Sequence, residues 1–273
     1  MHVLPAILVP GLATTVSGPM RVVTYNVHRC RGIDGRYSPR RVLEVLQEIS
    51  PDVVALQEVV SKSEAERHDD QARFLAEELG LQVAVGHNRK FRGGDYGNVV
   101  LSRFPLGNTR NYDISVRGRE RRGCFRADLS VGDGRTLHLF NVHLGTSYLE
   151  RRRQARLLTE GEILENEGIS GPRLVLGDFN EWTAGLTSRL LSEMLNSVDI
   201  RTHLRRKRTY PGFMPIMHLD HMYFDDELQL ERMTLHRTRK ALMASDHLPL
   251  VGEFSWKGLR AAGSTDTPRA AEA

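Results

Sequence analysis

The sequence predicts an α+β protein in which stacked β-sheets are covered by helices. Strand-like runs recur along the chain, and helical patterns separate only some of them, at irregular intervals. A regular alternation of strands and helices would instead have predicted a barrel. The 273 residues, 40% hydrophobic and 26% charged, suffice for a substantial core and exclude a largely disordered chain.

The strand predictions rest on short runs of apolar residues, several of which alternate with polar residues. Such alternation places one face of a strand towards a core. In chain order the predicted strands cover residues 21–27, 52–59, 81–86, 97–102, 124–131, 136–143, 173–177, 219–224 and 249–254.

Helical patterns are predicted between some of these strands. Ser38 and Pro39 begin the first helix, apolar residues recur at helical spacing over 42–49, and Pro51 ends it. The other predicted helices cover 69–79, 185–195 and a charged stretch that runs from a capping-box pattern at 147–150 towards Glu165.

No repeat or long linker interrupts the chain, so one domain is predicted over 20–256. Residues 1–19 are apolar, lack Lys and Arg, and are interrupted by prolines and a glycine. This composition predicts an extension outside the fold, with a cleaved or anchoring signal as the less favoured alternative. The small and polar residues 257–273 predict a disordered tail.

Cysteine content and charge narrow the functional class. Cys30 and Cys124 are too few for a disulfide framework or a four-cysteine zinc site, which favours reduced thiols in a cytoplasmic protein. The formal net charge of +4 is mild and does not by itself indicate a nucleic-acid partner. No stable protein partner is inferred, and the oligomeric state is left open.

Polar side chains repeatedly stand at the ends of the apolar strands. An acid buried at such a position costs several kcal/mol unless it is paired or binds a metal. Carboxylates, amides and imidazoles therefore form one candidate set, whose members are Asn26, Glu58, Asn141, His143, Asp178, Asn180, Asp220, Asp246 and His247.

The side chains of this set are of the types that bind a hard cation and a phosphate group. Mg²⁺ prefers oxygen ligands and commonly takes one or two carboxylates together with water and substrate phosphate. Glu58, Asp178 and Asp246 can supply such carboxylates, and Asn26 and Asn180 can add neutral amide groups. The chain has no HExxH, GxSxG, GxxxxGK[ST] or GxGxxG motif, so zinc proteases, serine hydrolases and nucleotide-binding loops are not indicated. Hydrolysis by metal-activated water fits best.

Seven motifs in order resemble the endonuclease/exonuclease/phosphatase superfamily, which has the DNase I-like fold. They span about 21–255 and read TYNVH, ALQEV, GNVVLSRFPL, NVHLG, GDFNEW, LDHMYF and SDHLPL. The resemblance implies a four-layer α/β/β/α sandwich with two central mixed sheets and an active site at one rim. It also implies cleavage of phosphoester bonds that depends on Mg²⁺ or Mn²⁺.

The same resemblance implies a role for each matching residue. For the metal it implies Glu58 as principal ligand, Asn26 beside it and Asp246 nearby. For catalysis it implies Asp178 and Asn180 on the attacking water and phosphate, His247 on the scissile phosphate or as base with Asp220 fixing its tautomer, and His143 as phosphate ligand or general acid. Whether Asp178 or His247 takes the proton of the water stays open, because either group is a suitable base.

The substrate class is not fixed by these motifs. His28 stands where the abasic-site endonuclease branch has an aspartate, and the stretch 208–221 around Asp220 lacks the tryptophans of that branch, so abasic-site repair is disfavoured. Residues 26–39 (NVHRCRGIDGRYSP) and 143–155 (HLGTSYLERRRQA) look more like small bacterial family members of unassigned substrate. Phospholipid head groups, sugar or inositol phosphates and nucleic acid remain as substrates.

A catalytically silent module on the same fold is the alternative to an enzyme. Arginine clusters at 117–122, 151–156 and 205–208 would then bind nucleic acid or an anionic membrane, although a solvated helix face or loop is the favoured explanation for each cluster. A silent module need not keep all the candidate residues. The presence of the complete candidate set therefore favours the enzyme. Asn98 and the two cysteines are expected to be structural.

Overall fold

The computed structural model describes residues 18–62, 70–166, 168–181, 185–195, 209–210 and 217–257. Within these residues the strands are β1 (Met20–Asn26), β2 (Val53–Ser61), β3 (Gln82–Phe91), β4 (Gly94–Ser102), β5 (Leu106–Asp113), β6 (Gly123–Ser130), β7 (Thr136–His143), β8 (Arg173–Asp178), β9 (Asp220–Phe224), β10 (Leu228–Leu235) and β11 (Leu250–Trp256). The helices are α1 (Pro39–Ile49), α2 (Gln71–Leu79), α3 (Tyr148–Thr159), α4 (Leu186–Met194) and α5 (Arg239–Ala244).

The strands form two mixed sheets. The first has the order β10-β11-β1-β2-β4-β3 and the second the order β5-β6-β7-β8-β9. One neighbouring pair in each sheet is parallel, β1 with β2 and β7 with β8, and the other neighbours are antiparallel. The carboxyl ends of each parallel pair therefore lie at one edge of their sheet.

The two sheets pack face to face over an apolar core. Alternate residues of β1 and β2, among them Val22, Val53 and Ala55, contact alternate residues of β6 to β9, among them Leu139 and Leu176. These side chains are almost fully buried. Alternation along each strand thus directs half of its side chains into the space between the sheets.

Helices cover the outer face of each sheet. The apolar side of α1, including Val45 and Leu46, packs with α2 and α5 against the outer residues of β1 and β2. On the other side, α3 and α4 bury Leu158 and Leu191 against β6 to β9. The predicted four-layer α/β/β/α sandwich and its α+β class are confirmed.

Three elements were not predicted from the sequence. Strand β5 is an edge strand with mostly exposed polar residues, so it lacks an apolar pattern. In β10 the alternation is broken where the register with β11 shifts between Leu230 and Arg232. Helix α5 has six residues, too few for a recognisable period, and begins at a cap in which Thr238 accepts a hydrogen bond from the Ala241 amide.

Helix α3 is shorter than predicted. It ends at Thr159 rather than continuing towards Glu165. Glu160 is its C-cap, and the next residue is Gly161, which weakens helices through its backbone freedom. The capping box predicted at its start is not formed as expected, because the Ser147 side chain makes no capping hydrogen bond.

The predicted domain 20–256 runs from the first residue of β1 to the last of β11. The predicted terminal segments, 1–19 and 257–273, lie outside the described residues except for 18, 19 and 257. None of the described helices combines the length and the apolar character needed to cross a membrane.

Candidate active site

The candidate residues meet at the rim where the parallel strand pairs of both sheets end. Strands β1 and β2 end near Asn26 and Glu58, and β7 and β8 end at His143 and Asp178. A cavity of about 350 Å³ opens there. Of the predicted residues, those that line it are Asn26, Glu58, His143, Asp178, Asn180, Asp246 and His247.

Glu58 reaches this rim through a β-bulge. Two residues of β2, Gln57 and Glu58, oppose Asn98 alone, because Leu56 pairs with Val99 and Val59 pairs with Gly97. Glu58 has a φ of 59°, in the left-handed region that costs a non-glycine residue energy. Regular alternation would have placed Glu58 with Leu56 beneath the helices. The bulge instead turns the carboxylate into the cavity.

Asn26 connects the two sheets through its amide. Its Nδ2 donates to Asp178 Oδ2 at 2.9 Å and lies 3.4 Å from Glu58 Oε1. Its Oδ1 accepts a hydrogen bond from the backbone amide of His28 at 3.0 Å. In this arrangement Asn26 positions both carboxylates with its NH₂ group while its oxygen is engaged.

Asp178 lies at the centre of the site. Its Oδ2 is 3.6 Å from His143 Nε2 and 3.7 Å from His247 Nε2, in addition to the Asn26 contact. Its Oδ1 accepts from the backbone amide of Asn180 at 2.9 Å. Asn180 has a φ of 48°, and its side-chain amide donates to the carbonyl of Leu144. The chain after β8 is thus held in a strained turn, a frequent property of functional sites.

Burial gives the Asp178 carboxyl an unusual acidity. Removal from water, reinforced by the charge of Asp220, raises its pKa to about 6, although His247 and the Asn26 hydrogen bond act in the opposite direction. An acid with such a pKa exchanges protons near neutrality. Perturbed groups of this kind in a cleft are typical of catalytic sites.

His247 is held by Asp220, which lies buried behind it. The His247 Nδ1 atom is 3.0 Å from Asp220 Oδ2, so this nitrogen carries a proton and Nε2 faces Asp178. Burial alone would lower the pKa of His247, but the carboxylates of Asp220 and Asp178 outweigh burial and raise it to about 10. The ring of Tyr210 covers the imidazole, with centroids 4.8 Å apart.

His143 has the opposite kind of partner. The Nη1 group of Arg122 lies 3.3 Å from His143 Nδ1, and a guanidinium can only donate, so Nδ1 accepts and Nε2 carries the proton. Burial, followed by the charges of Arg122 and His247, lowers the pKa of His143 well below its usual range. His143 therefore presents a neutral N–H to the cavity.

Asp246 and His28 form a more open part of the rim. His28 Nδ1 is 3.5 Å from Asp246 Oδ1, and each side chain is 31% exposed. His28 begins a turn, His28–Cys30, in which all three residues have positive φ. This turn returns the chain towards Glu58, where Arg29 Nε lies 3.7 Å from Oε2.

The oxygen donors fit a hard cation that keeps much of its own hydration. Within the described part of the chain, no three His, Cys, Asp or Glu side chains form a ready metal cage. Glu58 and Asp246 nevertheless line one cavity as carboxylates that are still partly exposed. Mg²⁺ is typically held by one or two carboxylates with water and substrate phosphate, so this donor set suits it better than zinc.

The remaining predicted polar residues hold the two sheets together. Asn141 bonds Leu56 and Val99 backbone carbonyls and the Gln57 side chain, while Asn98 donates to the carbonyls of Gly123 and Asn141. These groups are fully buried beneath the cavity. Their hydrogen bonds connect the two sheets below the cavity, so we assign them a structural role rather than a ligand-binding one.

The arginine clusters and cysteines fall in different environments. Within cluster 117–122, Arg122 is buried in the site, whereas Arg151 of the second cluster donates to the carbonyls of Gly145 and Thr146. Cluster 205–208 lies outside the described residues. Both thiols are fully buried, which raises their pKa and leaves them inert, in agreement with the expected packing role.

Sequence reasoning named Arg122 only as one member of the cluster 117–122 and did not identify Tyr210 as part of the site. Arg122 lies in the charge-rich loop RGRERR, where nothing local distinguishes it from its solvated neighbours. The available signal was its position two residues before Cys124, at the start of a predicted strand. Tyr210 follows a basic stretch and gave no pattern at all.

Comparison with known proteins agrees with this architecture. The model of the Endonuclease/Exonuclease/phosphatase family matches residues 23–247. The uncharacterized protein YbhP of Escherichia coli (strain K12) is 32% identical over 247 residues, which are 86% of this chain and 95% of YbhP.

Solved structures share the fold at lower identity. The mannosyl-6-phosphatase of Bacteroides thetaiotaomicron superposes with a TM-score of 0.68 at 19% identity, over 87% of this chain and 100% of that one. The catalytic domain of human Nocturnin with bound sulfate gives a TM-score of 0.68 at 20% identity, over 87% and 94%. From its family match, its relative and its fold, the chain belongs to the endonuclease/exonuclease/phosphatase family.

Proposed function

We propose that this protein is a divalent-metal-dependent phosphoesterase that hydrolyses a phosphoester bond by attack of water. The observation that carries the proposal is the position of Asp178 Oδ2, which lies within 3.7 Å of three side chains, Asn26, His143 and His247. A carboxylate, an amide and two imidazoles from both sheets thus face one cavity. Family membership supports this, because the family includes phosphoester hydrolases.

Glu58 and Asp246 are the proposed metal ligands, with Asn26 alongside. Mg²⁺ or Mn²⁺, when bound, supplies Lewis acidity to the phosphoryl oxygen and lowers the pKa of water. Asn26 keeps Glu58 close to Asp178 by contacting both carboxylates. The left-handed backbone at Glu58 fixes the direction of its carboxylate before any ligand arrives.

Asp178 and His247 are the proposed pair that orients the attacking water and receives its proton. Their nearest atoms, Oδ2 and Nε2, are 3.7 Å apart, so a water between them can contact both. Asp220 keeps Nδ1 of His247 protonated and thereby turns Nε2 towards the reacting centre.

His143 and Asn180 are the proposed contacts to the phosphate oxygens. His143 offers a neutral Nε2–H, and Asn180 lies beside it in the cavity. Donors that are fixed before the reaction stabilise the charge that develops on a phosphoryl group without having to reorganise.

The proposed substrate carries a phosphoester and belongs to nucleic acid, phospholipid head groups or sugar and inositol phosphates. A panel of plasmid DNA, RNA, bis-p-nitrophenyl phosphate, phospholipids and phosphorylated sugars, assayed with Mg²⁺ or Mn²⁺, tests this directly. We expect turnover of one class that EDTA abolishes and that His247→Ala reduces by 100-fold or more, in the range of lost acid–base catalysis.

The silent module predicts a different outcome of the same panel. Salt-sensitive binding to DNA without turnover, by folded protein in Mg²⁺, would support it and contradict the enzyme. Turnover that survives both EDTA and His247→Ala would also reject the proposed site.

We propose the cytoplasm as the compartment, because both cysteines are free and buried. Cell fractionation followed by immunoblotting checks this. Recovery of the protein mainly in membrane or secreted fractions would contradict it.

A further inference from the structure

A second cavity, larger than that of the site, lies next to it. Its volume is about 410 Å³. Arg29 lines both cavities, so they share a wall. The residues around the second cavity are Arg29, Arg31, Tyr37, Val60, Lys62, Gln71, Phe91 and Arg92.

Among the described lining residues of this basic pocket, every charged side chain is cationic. Three arginines and a lysine line it, and no carboxylate does so among its described lining residues. Arg31 donates to the carbonyl of Gly35, and the guanidinium groups of Arg29 and Arg92 lie over Phe91, 5.7 Å and 5.5 Å from its ring centroid. These contacts orient the three guanidinium groups, and among the described residues the only carboxylate within 4 Å of any of them is Glu58, which lies 3.7 Å from Arg29 Nε.

The walls of the pocket are fixed by buried hydrogen bonds. Gln71 is 2% exposed, and its Oε1 accepts from the Val60 amide while its Nε2 donates to the Arg29 carbonyl. The positive φ angles of Arg29 and Arg92 set the direction in which each side chain leaves the backbone. The pocket is therefore preformed, which reduces the ordering cost of binding.

Resting on the proposed function, we infer that the basic pocket binds a second phosphate group of the same substrate molecule. Val60, at its floor, is two residues beyond Glu58 on β2, which is roughly 7 Å of strand. Guanidinium groups match phosphate oxygens in geometry and charge, and several of them around one cavity favour a dianion over a carboxylate. The substrate would thus carry a phosphate group in addition to the phosphoester that is hydrolysed.

Substrates that differ by one phosphate test this inference. The first pair is a thymidine dinucleotide with and without a 5′-phosphate, and the second is glycerophosphoinositol with and without an added phosphate on the inositol ring. Wild-type protein should prefer the more phosphorylated member of one pair by about tenfold or more in kcat/KM. The pair that shows the preference identifies whether nucleic acid or an inositol phosphate supplies the second phosphate.

The double variant Arg31→Gln/Arg92→Gln should abolish that preference while retaining hydrolysis of bis-p-nitrophenyl phosphate. Both side chains are exposed and lie outside the proposed catalytic set. Arg152→Gln/Arg153→Gln is the matched control, because it makes the same charge change on the exposed side of α3. A preference that persists in Arg31→Gln/Arg92→Gln, or that falls equally in the control, would overturn the inference.

Equilibrium binding separates this inference from the proposed function. Calorimetric titration of Asp178→Asn protein with the same substrate pairs measures affinity without requiring turnover. A tenfold preference that depends on Arg31 and Arg92 would support the pocket even if no phosphoester is hydrolysed. Equal affinity for both members of each pair would reject the pocket, whatever the enzyme assay shows.

Discussion

Two histidines of the site are held by partners of opposite charge. Asp220 accepts from Nδ1 of His247, whereas Arg122 donates to Nδ1 of His143. His247 therefore presents its Nε2 to Asp178 at 3.7 Å, whereas His143 presents an N–H donor to the cavity. In the proposed mechanism, His247 takes part in proton transfer and His143 binds the phosphate.

We predict that Arg122→Met lowers kcat/KM for bis-p-nitrophenyl phosphate by about 10- to 100-fold, because His143 loses the group that fixes its tautomer and orientation. The nitrogen-15 NMR spectrum of the wild type should show His143 in the single tautomer whose Nδ1 is unprotonated. The spectrum of the variant should show a mixture of both His143 tautomers. Arg121→Met is the control, since that side chain is 67% exposed and pairs with Asp113. An unchanged tautomer with an unchanged rate would contradict the assigned role.

At the scale of secondary-structure elements, the bulge in β2 decides where Glu58 points. Its positive φ favours glycine, which has no Cβ to clash in the left-handed region. The backbone at the bulge is thus strained, and the hydrogen bonds of the surrounding sheet hold it in this conformation.

We predict that Glu58→Gly unfolds with a free energy about 1 kcal/mol higher than Glu58→Ala, although both lose activity. Chemical denaturation of the two variants measures the difference. At Gln229, an exposed position in β10, the order should be reversed, with Gly less stable than Ala by about 0.5–1 kcal/mol. If the Ala variant were the more stable one at both positions, the backbone at Glu58 would not be strained.

Strands β6 and β7 share a second buried charge cluster, away from the candidate site. Asp128 accepts from Arg126 Nε and Nη2 at 2.7 and 2.9 Å, and from His138 Nδ1 at 2.7 Å. Burial would raise the pKa of Asp128, but His138 and Arg126 outweigh burial and lower it from the ordinary value of 3.8. Because the folded pKa is the lower one, ionised Asp128 stabilises the fold above the unfolded pKa, and this stabilisation is lost as pH falls through the folded value.

Asp128→Asn should therefore reduce the free energy of unfolding by about 2 kcal/mol at pH 7. The difference from wild type should shrink as pH falls below about 3.8. Urea denaturation at several pH values checks both statements. Asp133→Asn, at a side chain that is 66% exposed, should have little effect at any pH. A constant deficit across the whole pH range would contradict the linkage.

Some elements could be predicted from sequence because their pattern is local. Strand β2 and helix α1 have clear apolar periods, and the order of motifs placed them in a known sandwich. The bulge at Glu58, by contrast, depends on how many residues of β4 oppose it, which is information from another part of the chain. Edge strand β5 and the six-residue α5 lack a sufficient period.

At the scale of the whole molecule, the site exists only because two sheets end at one rim. The six-stranded sheet supplies Asn26 and Glu58, and the five-stranded sheet supplies His143 and Asp178. Their polar residues were visible in the sequence as interruptions at strand ends. Arg122 could not be recognised in this way, because its burial results from the packing of a loop against β7 and not from its neighbours in sequence.

The most direct test of a joint site is the initial rate of bis-p-nitrophenyl phosphate hydrolysis in Mn²⁺ for Glu58→Gln and Asp178→Asn, one variant from each sheet. Both substitutions keep the shape of the side chain and remove its charge. The account predicts that each lowers the rate by 100-fold or more and that the double variant is hardly slower than either, because the residues act as one unit. Full activity in either single variant, with Gln229→Ala as the unchanged control, would contradict a site built by both sheets.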